Sequence, residues 1–351
     1  MPNRITITAV ARAAGLSVST VDRVLNNRAP VKSQTAERVL QAARATGYPI
    51  DSDSAPTETQ ATAAYRLGFL LQSAEQPFYK ELQQELEQTV RSRSRLTPGR
   101  LESPVFAFID DTSASVITRQ IDRLASQCDA LALACYEHPG IIQAIENAEA
   151  RGVLIIALLS PLGTEPRRPY IGLDNRRVGR SVGWAVAQLG HNSGKVGIMI
   201  GHHRFVGHEL RDMGFRSYCR EQAPQLTVLE PMISLDDPEV AYRNTRQLLD
   251  DHSDLCALYI AGGGMEGVIR ALRDSPPAQP LCVIVQELTA ESRQALIDGV
   301  ITLVLATPLR QLAGDTLSQM LATLEHRDES ALPAPITTPA LPFILYHAEN
   351  C

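Results

Sequence analysis

Apolar residues keep two different rhythms along this chain. In the first fifty residues they recur at intervals of three and four: Ile7, Val10, Ala11 and Ala14, then Val18, Val21, Val24 and Leu25, then Ala36, Val39, Leu40 and Ala43. Each set lines one helix face, so three short helices are predicted over 6–14, 17–25 and 33–47. Thr6 and Ser17 stand where N-caps belong, and Gly15 supplies the φ > 0 conformation that stops the first helix in a sharp turn. The stretch Asn26-Asn27-Arg28-Ala29-Pro30 breaks the second helix, and Gly47 closes the third. Two helices joined by a glycine turn and braced by a third make a helix-turn-helix.

From Tyr65 the rhythm changes. Short Val/Ile/Leu-rich runs at 66–71, 105–109, 130–134, 153–158 and 170–173 alternate with amphipathic stretches such as 78–91, 115–126, 140–151 and 178–189. Further strand-like runs fall at 195–200, 227–232, 256–260, 282–285, 301–305 and 342–346. Near-continuous apolar strands separated by helices imply parallel sheets buried on both faces. About ten strands are many for one open sheet of this kind, so the body is read as two α/β lobes. The expected organisation is a helix-turn-helix domain at 1–50, a linker at 51–64 and a body at 65–351. Lobe 1 takes 65–173 and 306–330, and lobe 2 takes 174–305 and 331–351. A helix at 309–325 returns to the first lobe, and the last strand ends in the second. Open α/β sheets bind ligands beyond the carboxyl ends of their strands, so two facing lobes enclose a site.

Charge sharpens this division. The chain has 351 residues with a formal charge of −6, yet residues 1–50 hold seven basic and two acidic side chains. A cationic head on an acidic body points to a polyanion as the head's partner. The stretch 51–64, DSDSAPTETQATAA, has three acids, no base and only small or polar side chains. It lacks the apolar area to offset its ordering entropy and reads as a linker. No apolar run reaches membrane-spanning length, Arg4 and Arg12 interrupt any secretory signal, and the six cysteines show no ligand spacing. A cytoplasmic protein with reduced thiols is the expectation.

In a helix-turn-helix the second helix lays its first residues against base edges in the major groove. Val18, Ser19, Asp22 and Arg23 are then the candidate readers: Arg23 for a guanine, Val18 for a thymine methyl. Thr8, Ser17, Thr20, Asn26 and Arg28 are placed to hold phosphates. The plainer alternative is a small helical cap that binds nothing.

The segment ITITAVARAAGLSVSTVDRVLN…VKSQTAERVLQAARATGY resembles the N-terminal module of the lac repressor/gal repressor family almost position for position. That resemblance implies a dimeric, operator-binding regulator whose effector domain looks like a periplasmic sugar-binding protein. Two positions depart from it. Asp22 stands where the family usually has Ser. After Gly47-Tyr48-Pro49 the sequence runs Ile50-Asp51-Ser52-Asp53-Ser54-Ala55-Pro56, without the leucine that the family's hinge helix wedges into the minor groove.

The resemblance extends more loosely over the body and implies effector contacts at six places. Phe78 and Tyr79 follow the first strand, where the family often places aromatics that stack on the ligand. Asp174 would accept from ligand hydroxyls, and Arg211, in ELRDMGF, would offer a forked set of donors. Glu287 would accept from adjacent hydroxyls of a polyol. Gly262, in a Gly-Gly-Gly run, replaces the usual Asn-Asp, and Thr307 or Ala306 stands where Gln is common. Structural alternatives remain for several of these: Asp174 as a helix cap, Glu287 as a helix-start charge, one of the aromatics as packing.

His202, His203, His208 and Glu209 do not follow the H-E-x-x-H order, and no nucleophile pattern is present. The chain is accordingly expected to be no enzyme and to carry no metal or cofactor. The leading expectation is a homodimeric transcriptional regulator, bound to operator DNA and controlled by a sugar or polyol, with no membrane partner. The residues do not distinguish release of DNA by the ligand from recruitment, and the family resemblance implies a repressor relieved by its ligand. The alternative is a small-molecule (sugar) binding protein whose head binds DNA weakly or not at all.

Overall fold

The structure is a computed structural model that describes residues 6–25, 33–46, 48, 64–109, 111–162, 168–190, 193–325 and 340–351. The chain divides into two compact units, Met1–Ala63 and Ala64–Cys351. Asn26, Arg28 and the linker up to residue 63 lie outside the described residues.

The first unit contains α1 (Ile7–Ala14), α2 (Val18–Leu25) and α3 (Ser33–Thr46). Val10, Ala11, Ala14, Val21, Leu25, Val39, Ala42 and Ala43 form its small core. Gly15 takes φ 62°, the left-handed conformation its place required, and Arg38 Nη2 donates to Ala14 O at 3.0 Å, satisfying a carbonyl at the end of α1. Ser17 caps α2 by accepting from Thr20 N at 3.2 Å. Thr6 precedes α1 in an extended conformation but makes no side-chain cap bond; its carbonyl instead accepts from the amides of Ala9 and Val10.

The second unit carries two sheets. Lobe 1 is a five-stranded parallel sheet of order β2-β1-β3-β4-β5, formed by β1 (Leu67–Gln72), β2 (Val105–Ile109), β3 (Ala130–Leu133), β4 (Leu154–Leu158) and β5 (Tyr170–Ile171). Its helices are α4 (Pro77–Leu96), α5 (Ala114–Ala125) and α6 (Pro139–Ala150). Lobe 2 has seven strands in the order β12-β11-β10-β9-β6-β7, with β8 also paired to β6. They are β6 (Gly194–Ile200), β7 (Leu226–Val228), β8 (Met232–Ile233), β9 (Leu255–Ile260), β10 (Cys282–Gln286), β11 (Leu303–Ala306) and β12 (Ile344–Tyr346). Its helices are α7 (Asn175–Leu189), α8 (Val206–Gln222), α9 (Pro238–Asp251), α10 (Met265–Asp274) and α11 (Ala290–Ile297). The helix α12 (Leu309–Glu325) packs against α4, with Leu312, Leu317, Met320 and Leu324 in the same core as Phe69, Leu82 and Leu86. The last strand, β12, lies antiparallel to β11 at the edge of the second sheet.

One sequence expectation is corrected. The run at 227–232 is not a single strand but two short ones, β7 and β8, both parallel to β6. Pro231, between them, has no N–H to give to a ladder, and the amide of Leu229 bonds Val196 O before the chain breaks step.

The helix pair α7/α8 sets the position of Arg211. A Cβ on Gly179 would lie 2.0 Å from Arg211 O, and one on Gly214 would lie 2.2 Å from Arg176 O. Only glycines let the two backbones come this close, and that approach delivers the Arg211 side chain to the start of α7.

Candidate functional site

Two surfaces carry the candidate residues. On the first unit, Ser17, Val18, Ser19 and Arg23 are exposed along α2, Thr20 and Asp22 are partly covered, and Thr8 is exposed on α1. The first turn of α2 is rich in hydroxyls: Ser17 Oγ lies 3.0 Å from Ser19 Oγ and 2.8 Å from Thr20 Oγ1. Val18 is 47% exposed, an apolar side chain that the head's own core does not use.

In the second unit, loops from the carboxyl ends of both sheets meet. Gln76 Nε2 donates to Asp236 O at 3.4 Å, Glu137 N to Arg204 O at 3.1 Å, and Gly207 N to Ser160 Oγ at 3.1 Å. Tyr136 of lobe 1 has its ring centroid 6.2 Å from that of His202, nearly parallel to it, and the Arg204 guanidinium 5.4 Å from its centroid. Arg211, on α8, is 8% exposed. Its Nε donates to Asn175 Oδ1 at 2.7 Å and its Nη1 to Ala261 O at 2.8 Å. Two arms of the fork are thus fixed by the protein, which pre-sets the guanidinium plane.

The remaining expected contacts fall around it. Phe78 and Tyr79 open α4 in an edge-to-face pair 5.0 Å apart, both half-buried against the core. Burial, with Asp236 and Glu287 adding to it, pushes the Tyr79 hydroxyl well above its ordinary value and keeps it protonated. Glu287, at φ 69°, follows β10 and accepts from both Thr307 N and Thr307 Oγ1 at 2.7 Å. Burial raises the Glu287 carboxyl, opposed by Thr307 and Arg211. Thr307 therefore serves Glu287 with both of its donors.

Asp174 caps α7, accepting from Arg177 N at 3.0 Å, and pairs with Arg177 Nε at 3.2 Å. Gly262 is buried where a Cβ would lie 2.4 Å from Gly201 N, so its bareness lets two loops pack. The neighbouring Gly263 N donates to Asp236 Oδ1 at 2.6 Å, within the protein.

Two polar groups of the cleft escaped the sequence reading. Asn175 orients Arg211 and also donates to Tyr170 Oη at 3.0 Å. Asp236 sits among Arg211, Tyr79 and Gly263, and burial raises its carboxyl. A signal for Asp236 exists in Asp236-Asp237-Pro238, since a helix start uses one capping acid. Asp237 takes that part, accepting from Glu239 N at 2.7 Å and Val240 N at 3.1 Å, which leaves its neighbour for other work.

The histidine cluster divides. His203 pairs with Glu209 at the surface, whereas His208 is on α8, its Nδ1 buried without a partner and its pKa lowered to about 3 by burial and Arg211. No group of three or more His, Cys, Asp or Glu among the described residues could hold a metal ion. None of their helices is long and apolar enough to cross a membrane.

A helix-turn-helix of this build, joined to a two-lobed α/β body with polar groups converging where the lobes meet, defines a class of protein. Residues 67–328 match the periplasmic binding protein domain, and residues 6–49 match the bacterial regulatory proteins of the lacI family. The chain belongs to the periplasmic binding protein domain family over its body and carries a lacI-family regulatory domain at its head. The HTH-type transcriptional regulator GalS of Salmonella typhimurium is 26% identical over 288 residues, 79% of this chain and 78% of that protein. MalR of Streptomyces coelicolor is 23% identical over 61% of this chain, a match that spans only 58% of that relative's length. Among solved structures, the glucose-galactose binding protein GanP of Geobacillus stearothermophilus superposes with a TM-score of 0.71 at 16% identity, covering 82% of this chain and 98% of that one. A solute-binding protein of Burkholderia graminis in complex with D-arabinose gives 0.72 at 16% identity, covering 82% and 97%. These two share the fold.

Proposed function

We propose that the protein is a cytoplasmic, homodimeric, sequence-specific DNA-binding transcriptional regulator whose operator affinity is set by a small sugar or polyol held between its lobes. On this reading Val18, Ser19, Asp22 and Arg23 address base edges, and Thr8, Ser17, Thr20, Asn26 and Arg28 hold phosphates. The single observation that carries the effector half is Arg211, a buried guanidinium pre-set by Asn175 and Ala261 with Asp236 and Glu287 nearby. A polar cluster of this kind is costly to bury, and a ligand rich in hydroxyls repays that cost by completing its hydrogen bonds. Relatives described as transcriptional regulators, and sugar-binding proteins of the same fold, support the assignment. Phe78 and Tyr79 offer aromatic faces to a sugar's C–H surface, while Thr307, Asp174 and Gly262 position their neighbours.

Coupling requires that the ligand bind one arrangement of the lobes better than another; equal affinity would transmit nothing. The reading is of a repressor released by its ligand. Footprinting of the full-length protein on the DNA upstream of its own coding sequence, with and without candidate sugars, tests it. A protected site weakened by one sugar is expected; no protected site under either condition sinks the regulator reading.

A further inference from the structure

The cleft's two carboxyl groups are engaged unequally. Glu287 has both oxygens occupied by Thr307. Asp236 Oδ1 accepts from Gly263 N, while its Oδ2 receives no hydrogen bond from any described residue. Considerable architecture serves this one side chain. Leu235 and Asp236 both take left-handed conformations, with φ 57° and 55°, which side-chain-bearing residues adopt only when the surroundings hold them there. Fully buried Ser234 ties the turn down: its Oγ donates to Gly263 O at 2.9 Å and accepts from Asp236 N at 3.2 Å. A Cβ on Gly201 would lie 2.0 Å from Asp236 Oδ1, and one on Gly263 would lie 2.8 Å from it. Two glycines from separate loops therefore make room for a single carboxylate.

Acidic side chains outnumber basic ones around the cleft, although Arg211 is the charge that acts most on both Asp236 and Glu287. Glu266 lies within electrostatic reach of Asp236, and Glu81 within reach of Glu287. Against these four carboxyls stand Arg211, two of whose nitrogens are committed to Asn175 and Ala261, and Arg293 beside Glu81. Among the described residues, no cation forms an ion pair with Asp236 or Glu287. A ligand bringing hydroxyl or ammonium donors meets acceptors there; one bringing a carboxylate or phosphate meets like charge in a poorly solvated place.

We propose that Asp236 is the specificity-determining residue of the cleft: its free oxygen accepts from hydroxyls or an amine of the ligand, and its charge turns away the corresponding acids and phosphate esters. This rests on the cleft being the effector site. The competing account is that Asp236 only braces the loops around Gly201 and Gly263. Asp236→Asn separates the two, because the amide oxygen can still accept from Gly263 N while the charge is gone.

The test is calorimetric titration of the full-length protein with a paired panel. D-ribose, D-galactose, D-glucose, D-glucitol and D-glucosamine are set against ribose 5-phosphate, galacturonate, glucose 6-phosphate, glucitol 6-phosphate and glucosamine 6-phosphate. Binding is expected only among the uncharged and amine-bearing members. Asp236→Asn is expected to weaken that binding roughly tenfold or more and to narrow the preference over the matching anion by a similar factor. Asp236→Glu, which keeps the charge, retains the exclusion of anions although its longer arm costs affinity. An anion that binds the wild type as well as its uncharged counterpart overturns the proposal, as does an unchanged preference in Asp236→Asn. Failure of the whole panel to bind rejects the effector-site reading itself, and the proposal with it.

Discussion

The head and the cleft present opposite kinds of recognition surface. At the start of α2 and along it, the groups offered to a partner are close in sequence and open to water, Ser17, Val18, Ser19 and Arg23, resting on a small apolar core that includes Val21 and Leu25. In the cleft, the groups are buried (Asn175, Arg211) or half-buried (Gln76, Asp236, Glu287) and arrive from distant positions in the chain. An exposed reader can be changed with little effect on folding, because water already solvates it. A buried one is part of the fold's own hydrogen bonding, so binding and stability move together.

The largest effect is expected at Arg211. Arg211→Met leaves Asn175 Oδ1 and Ala261 O without their donor, at a cost of about 3 kcal/mol, and removes the ligand response. Urea unfolding of the full-length protein measures the first and calorimetry the second; unchanged stability would break the contrast between head and cleft. Next comes Val21→Ala beneath the readers. Val21 is 0% exposed, and losing its two methyl groups costs the head about 2 kcal/mol. Operator binding should collapse in gel-shift assays while ligand binding by the body stays as it was.

Arg23→Ala is the smaller, surface counterpart. It should cost about 1–3 kcal/mol at the preferred operator and relax base preference at one position, with no change in melting. Arg28→Ala should instead weaken all sequences alike and flatten the salt dependence. Selection of bound sequences from a random pool tells these apart, and the reverse pattern would exchange the two roles.

The smallest effect is a pH dependence with two opposed signs. Folding raises the carboxyls of Asp236 and Glu287, so their contribution is complete below the unfolded values near 4 and is lost as pH rises through the folded ones. Asp236→Asn should therefore raise the melting temperature at pH 7. His208 runs the other way: lowered from 6.5 to about 3, it contributes fully above pH 6.5 and loses that as pH falls. His208→Gln should flatten the loss of stability between pH 6.5 and 5, and an unaltered melting curve over that window would remove His208 from the account.

How far each region was legible reflects the same contrast. The helices of the head, the turn at Gly15 and the cap at Ser17 are local: residues three or four apart decide them, and the helical rhythm exposes which side chains face out. The strand and helix alternation of the body was equally readable, apart from the break at Pro231 that divides β7 from β8. Arg211 and Glu287 were found through resemblance to a family. Asn175 and Asp236 were passed over because next to a helix start each has an ordinary local explanation.

Local spacing and turn chemistry determined the three-helix head and the parallel α/β body, since these depend on which residues lie within a few positions of one another, and composition determined the split of charge between them. The tertiary structure decided which polar groups share the cleft and in what state. Whether a carboxyl faces a glycine, a guanidinium or water depends on loops brought together from distant parts of the chain. The close passage of α7 over α8 at Gly179 and Gly214 sets Arg211 against Asn175, and the glycines at 201 and 263 admit Asp236.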